Sequence, residues 1–184
     1  MALVLILASQ SPRRRELLAA AGIPFEVRIA GVPEEVLPGE PPDAHVRRLA
    51  LEKVSAVSRA PHEVILGADT VVVAGGEILG KPKDAADGRR MLGLLSGREH
   101  TVITGIAIRH RGGVEVDDCR TTVYFAPLSD HEIEDYLASA EPYDKAGAYA
   151  IQGLASKFIH RIEGDYSNVV GLPVFLVYQH LKRL

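Results

Sequence analysis

Residues 3–8 (Leu-Val-Leu-Ile-Leu-Ala) form an unbroken apolar run with the length and branching of a buried strand. Glu63 to Ala74 is a longer run of the same kind, interrupted at its middle by Asp69. Phe25, Val27 and Ile29 alternate with Glu26 and Arg28, which predicts a half-buried strand. Gly75-Gly76 predicts a hairpin turn into a short return strand, Glu77 to Gly80. Thr101–Ile108 and Val114–Phe125 read as a long hairpin turning at Arg111-Gly112-Gly113, and Phe158–Ile162 as a last strand.

Between these runs the apolar spacing is helical. Ser11 and Pro12 open a helix to about Ala21, with Leu17, Leu18 and Ala21 inward and Gly22 at its end. Past a Pro- and Gly-rich loop from Gly31 to Pro42, Asp43 is the expected cap of a helix to about Ser58. Val46, Leu49, Ala50, Val54 and Val57 mark its buried side, and Lys53 beside them reads most simply as a lysine whose stem covers the helix edge. Asp84 caps a helix over Ala85–Leu95, and Ser129 with Glu132 forms a capping box opening another that ends near Ser139. Gly171-Leu172-Pro173 is taken as the start of the final helix, running to about Leu181. Repeats, low-complexity tracts and linkers are absent from the pattern, so residues 1–184 are expected to make a single domain.

Composition narrows the class. The 184 residues are 47% hydrophobic and 24% charged, as in ordinary globular proteins, and the net charge of −3 supplies no general field for nucleic acid or an anionic membrane. Any polyanion site must be local. Cys119 is the single cysteine and has no internal disulfide partner, which fits a reducing compartment; it reads as a small buried hydrophobe. The N-terminal apolar run is followed, not preceded, by its arginines, unlike a signal peptide. With no stretch approaching the roughly 20 apolar residues of a membrane span, a cytoplasmic protein without membrane or nucleic-acid partner is expected. The seven histidines show no ligand spacing and read mostly as surface residues.

Candidate chemistry begins at Arg13, Arg14 and Arg15, which fall in a first helical turn, the end already carrying partial positive charge. An anion would relieve the conflict, with backbone N–H groups, serine hydroxyls and the guanidinium groups of Arg13 and Arg14 converging on phosphate. Arg15 reads as solvated. Asp69 inside an apolar strand is costly unless paired, hydrogen-bonded or metal-bound. Gly75 to Lys81 has P-loop spacing, but Pro82 stands where the loop needs Ser or Thr, leaving Lys81 alone as a phosphate candidate. In Glu141–Gly153, Lys145 and Gln152 are the polar residues with reach. Cations at Arg13, Arg14, Lys53, Lys81 and Lys145 together with Glu34, Asp69 and Asp84 point to phosphate plus a divalent metal, and so to metal-assisted hydrolysis of a phosphoanhydride.

Five stretches in order, Leu7–Arg14, Leu66–Thr70, Gly80–Asp84, Asp144–Gly153 and Val169–Pro173, resemble the Maf family of nucleoside triphosphate pyrophosphatases. The resemblance implies an α/β fold of the inosine-triphosphate-pyrophosphatase type, with a bent mixed sheet flanked by helices and two lobes around a central cleft. It implies hydrolysis of a nucleoside triphosphate to the monophosphate and pyrophosphate with a divalent cation, Mg²⁺ first and Mn²⁺ or Co²⁺ as alternatives, and it implies a homodimer. Asp69 matches the family's proton acceptor, and Ser9, Arg14, Lys53, Lys81 and Lys145 its phosphate-side positions. Arg13, Thr70 and Gln152 match the branch acting on dTTP and UTP, where an amide can donate to and accept from a pyrimidine edge. A 7-methyl-GTP or other non-standard nucleotide pyrophosphatase, or a non-catalytic regulator of septum formation, is the alternative. The family's Asp-Glu is Pro33-Glu34 here, leaving Glu34 with Asp69 as the candidate metal ligands.

Overall fold

The computed structural model describes residues 4–29 and 31–184, so Leu3 of the first apolar run lies outside the described residues. The elements are β1 (Val4–Leu7), α1 (Pro12–Ala20), β2 (Glu26–Val27), α2 (Pro42–Ala56), β3 (Glu63–Ala74), β4 (Glu77–Leu79), α3 (Ala85–Leu95), β5 (Glu99–His110), β6 (Gly113–Phe125), α4 (Asp130–Leu137), β7 (Ile159–Glu163), α5 (Tyr166–Val170) and α6 (Val174–Leu181). Short 3-10 turns occupy Pro142–Asp144, Ala146–Ala148 and Leu154–Phe158. The strands pair in the order β2-β1-β3-β5-β6-β7, with β4 on β3. β1 is parallel to β2 and β3, each reached through a connection containing a helix, whereas β4 and β7 are antiparallel to β3 and β6. This is a mixed α/β fold, a seven-stranded sheet with flanking helices.

The chain divides into two compact units. One takes the described residues of Met1–Thr70, Thr104–Cys119 and Gly171–Leu184, the other Val71–Ile103 and Arg120–Val170. In the first unit both sheet faces are covered, which is why its strands read as apolar runs instead of alternating. Leu5 and Leu7 of β1, Val64, Leu66 and Ala68 of β3 and Ile106 and Ile108 of β5 share one core with Leu18 and Val177. The intervening residues Ile6, Ala8, Ile65 and Ala107 share another with Ala50, Val54 and Val57. On that second face two glycines let α2 down onto the strands. A Cβ on Gly67 would lie 2.6 Å from the Ala50 carbonyl oxygen and 2.8 Å from Val54 Cγ1, and one on Gly105 would lie 2.5 Å from the Val46 carbonyl.

In the second unit the predicted caps form. Asp84 accepts from the Asp87 N–H at 2.8 Å, and Ser129 and Glu132 close the capping box of α4. Phe125 packs edge-on against Tyr149 and His100, with ring centroids 4.9 and 5.2 Å away.

Several elements depart from expectation. β2 is two residues long at the sheet edge, with Val27 and Ile29 exposed and only Phe25 packed on the core, because an edge strand has one paired side and little to bury against. Pro41, not Asp43, is the N-cap of α2, and Asp43 instead ion-pairs with Arg47 one turn on, at 2.8 Å. Ser11 occupies the N-cap of α1 without a side-chain capping bond. Gly171 to Pro173 is not helical: α5 ends at Val170, Gly171 takes φ +129°, and α6 starts after Pro173. His45, His100 and His180 are buried, not on the surface, and Cys119 is only half-buried.

Candidate functional site

The first unit gathers Ser9, Arg14, Lys53, Asp69 and Thr70, and all but Thr70 are buried. Arg14 points from the first turn of α1 at the strand ends. Its Nε donates to the Gly171 carbonyl (2.8 Å), Nη1 to the Ala68 carbonyl (2.7 Å) and Ser9 Oγ (3.2 Å), and Nη2 to Thr70 Oγ1 (3.1 Å). Burial pushes this guanidinium below its ordinary value, while the nearby Asp69 and Glu34 charges act upward and Arg13 downward. Arg14 was expected on phosphate. Four of its five N–H donors meet protein acceptors, the Gly171 and Ala68 carbonyls among them, and these carbonyls offset charge at the positive helix end. Arg13, half-buried on the same turn, ends up differently placed from its neighbour.

Ser9 Oγ accepts from Arg14 and from the Ser11 N–H at 3.2 Å, which leaves its own O–H to donate. Thr70 Oγ1 lies 3.0 Å from Thr104 Oγ1 and 3.3 Å from the Gly171 carbonyl. Gly171 was not singled out as a site residue. Its positive φ turns its carbonyl to both Arg14 and Thr70, and the glycine in Val-Val-Gly-Leu-Pro was the available signal.

Lys53 does not reach for solvent. Its Nζ lies 2.7 Å from Asp69 Oδ1, 2.6 Å from Glu34 Oε1 and 3.4 Å from the Ala68 carbonyl. Strand alternation puts Asp69 on the same face as Gly67, and the close seat of α2 over Gly67 brings Lys53 to it. The costly carboxylate in the apolar strand is thus paired. The loop bearing Glu34 is tied to α2 by Arg48, which donates to the Glu35 carbonyl (3.0 Å) and twice to Glu40, holding the Glu40 carboxyl down at about 2.

The second unit carries Lys81, Lys145 and Gln152. Lys81 and Gln152 are exposed, and Lys145 is half-buried with its Nζ on the Glu141 carbonyl (2.8 Å) and the Asp144 carboxylate. The Gly80 carbonyl, next to Lys81, accepts from the Gly147 N–H at 3.0 Å. Gly147 has φ +71° and its Cα faces Val72 so closely that a Cβ would lie 2.9 Å away, so only glycine serves. Glu141 was passed over by the sequence reasoning and bonds to several groups of this segment.

A divalent ion with a preference for oxygen, held by one or two carboxylates plus substrate phosphate, fits the donors present. Glu34 and Asp69 both ion-pair with Lys53 Nζ, and the Glu34 side chain is half exposed. Among the described residues no three His, Cys, Asp or Glu form a full protein cage, which such an ion does not need.

A family model described as Maf-like protein matches residues 4–184. A protein from Geotalea uraniireducens (strain Rf4) named dTTP/UTP pyrophosphatase is 54% identical over 183 residues, covering 98% of this chain and 94% of its own. One of the same name from Anaeromyxobacter dehalogenans (strain 2CP-C) is 56% identical over 183 residues, covering 97% and 93%. Among solved structures, the Staphylococcus aureus Ham1 protein aligns over 97% of both chains with a TM-score of 0.53 at 14% identity, a likeness of fold alone.

Proposed function

The chain belongs to the Maf-like family, and we propose that it is a dTTP/UTP pyrophosphatase with a house-cleaning role, releasing pyrophosphate and the nucleoside monophosphate. The observation that carries the chemistry is the Glu34–Lys53–Asp69 group, a buried carboxylate and a half-exposed one on a single ammonium. The substrate pair rests on the names of the relatives, and Arg13, Thr70 and Gln152 are the residues assigned to reading the nucleotide.

In this reading Asp69 accepts a proton from the attacking water as the new P–O bond forms and the α–β anhydride bond breaks, with pyrophosphate leaving. Lys53 offsets the paired carboxylate charge as that proton moves. Ser9, Arg14, Lys53, Lys81 and Lys145 are assigned to the phosphate side. Arg14 also acts by position: it fixes Ser9, Thr70 and the Ala68 carbonyl, and so the strand segment on which Asp69 stands. Glu34 and Asp69 would hold Mg²⁺, or Mn²⁺ or Co²⁺, which when bound neutralises triphosphate charge. Among the described residues no helix is long and apolar enough to cross a membrane. A cytoplasmic homodimer acting on a small-molecule nucleotide, without nucleic acid, completes the reading.

The test is pyrophosphate release from dTTP, UTP, CTP, GTP and 7-methyl-GTP, with Mg²⁺ and with chelator. Metal-dependent release confined to dTTP and UTP is expected. Release from 7-methyl-GTP instead would transfer the chain to another substrate, and nucleotide binding without turnover would make it a regulator.

A further inference from the structure

We propose that Glu141 is a positioning residue that sets nucleotide selectivity by fixing the backbone around Gln152, an inference that rests on the function proposed above. Glu141 Oε1 accepts from the Tyr136 hydroxyl (2.8 Å) and the Ala155 N–H (3.4 Å), and Oε2 accepts from the Leu154 N–H (3.0 Å). The Tyr136 hydroxyl in turn accepts from the Ala150 N–H at 3.2 Å. The pinned amides at 150, 154 and 155 bracket Gln152 on both sides, so the exposed amide side chain projects from a backbone arch tied to one carboxylate. The same residue's carbonyl accepts from Lys145 Nζ at 2.8 Å.

The surroundings hold this clamp shut. Tyr136 is buried and packs edge-on against Phe158, with centroids 5.7 Å apart. Burial, and then the hydrogen bond to Glu141, raise its hydroxyl above the ordinary tyrosine value, so it remains a donor to the carboxylate. Gly153 makes the space: a Cβ there would lie 2.1 Å from Glu141 Oε2 and 2.4 Å from its Cδ. A carboxylate supplies two acceptor atoms, and both are used: Oε1 takes the Tyr136 hydroxyl and the Ala155 N–H, and Oε2 the Leu154 N–H. Glutamine supplies one, and its amide hydrogens would face a backbone N–H that needs an acceptor. Glu141 therefore acts on selectivity through Gln152 and Lys145 without touching the nucleotide.

The experiment compares Glu141→Gln, Glu141→Ala and Tyr136→Phe with the unaltered chain, reading kcat and KM for dTTP, UTP, CTP and GTP alongside the thermal midpoint. Glu141→Ala is expected to lower the ratio of kcat/KM for dTTP to that for GTP by about tenfold, chiefly through KM for dTTP, with kcat changed by less than about threefold. Glu141→Gln and Tyr136→Phe should move the ratio the same way and less far, since each keeps part of the clamp. A folded variant set with an unchanged ratio, or with equal losses on every nucleotide, would overturn the positioning role. If Glu141→Ala does not fold, the two milder variants decide. Absence of pyrophosphate release from the unaltered chain would instead overturn the proposed function, and this inference with it.

Discussion

Lys53 Nζ stands 2.7 Å from Asp69 Oδ1, and both side chains are about nine-tenths buried, at 8% and 10% exposure. Truncating one partner of such a pair leaves the other charged and poorly solvated. Lys53→Met is expected to lower folding stability by roughly 3 kcal/mol and pyrophosphate release by about 100-fold. Adding Asp69→Asn should return part of the stability, because the orphaned charge is gone. Urea unfolding of the two single variants and the double variant measures this coupling; strictly additive losses would show that the two groups do not act as a pair.

Arg14 carries a structural expectation beside its phosphate role. Its four bonds leave through three nitrogens of one planar fork, and an ammonium cannot reproduce that geometry. Arg14→Lys should therefore cost stability, roughly 3 kcal/mol, whether or not nucleotide is present. A variant as stable as the parent, but with a raised KM for every triphosphate, would confine Arg14 to the phosphate side.

Gly67→Ala tests how α2 delivers Lys53. The added methyl group would meet the Ala50 carbonyl at 2.6 Å, and helix backbone cannot step aside as a flexible side chain can. The expected cost is about 1–3 kcal/mol, with turnover falling further than stability because the helix that must shift also holds the partner of Asp69. Thermal unfolding and pyrophosphate release on the same preparation separate the two effects.

What could be read in advance follows the range of the interaction. The bounds of β3 and α3 and the caps at Asp84 and Ser129 are encoded within a few residues, and the structure reproduces them. Asp69 was recognisable as out of place in an apolar strand, but its partner was not, since Lys53 on a helix edge looks like any surface lysine until packing over Gly67 brings it in. The protein partners of Arg14 were hidden for the same reason: the Gly171 carbonyl that accepts from its Nε lies 157 positions away. Local charge at a helix start signals that something must compensate it, not whether that partner is ligand or backbone. Val27 and Ile29 show the converse, a strand pattern placed at a sheet edge where both side chains stay exposed.

His100 sets a pH dependence that the expected surface histidine would not. It is 3% exposed, its Nε2 shares a 2.7 Å hydrogen bond with Tyr149, and its Nδ1 has no partner among the described residues. Protonation would place a buried charge and an unsatisfied N–H in the aromatic cluster, and burial pushes the imidazole down to about 4. The unfolded chain takes up its proton near pH 6.5. Between those values the unfolded state binds the extra proton, so the contribution is fully present above about pH 6.5 and is lost as pH falls toward 4. The loss by pH 4 is roughly 3 kcal/mol. His100→Gln, which does not titrate, should be less stable than the parent at pH 7 yet show a flatter decline, in urea unfolding measured from pH 7 to pH 4. Parallel pH curves for the two proteins would mean that folding does not lower the His100 pKa.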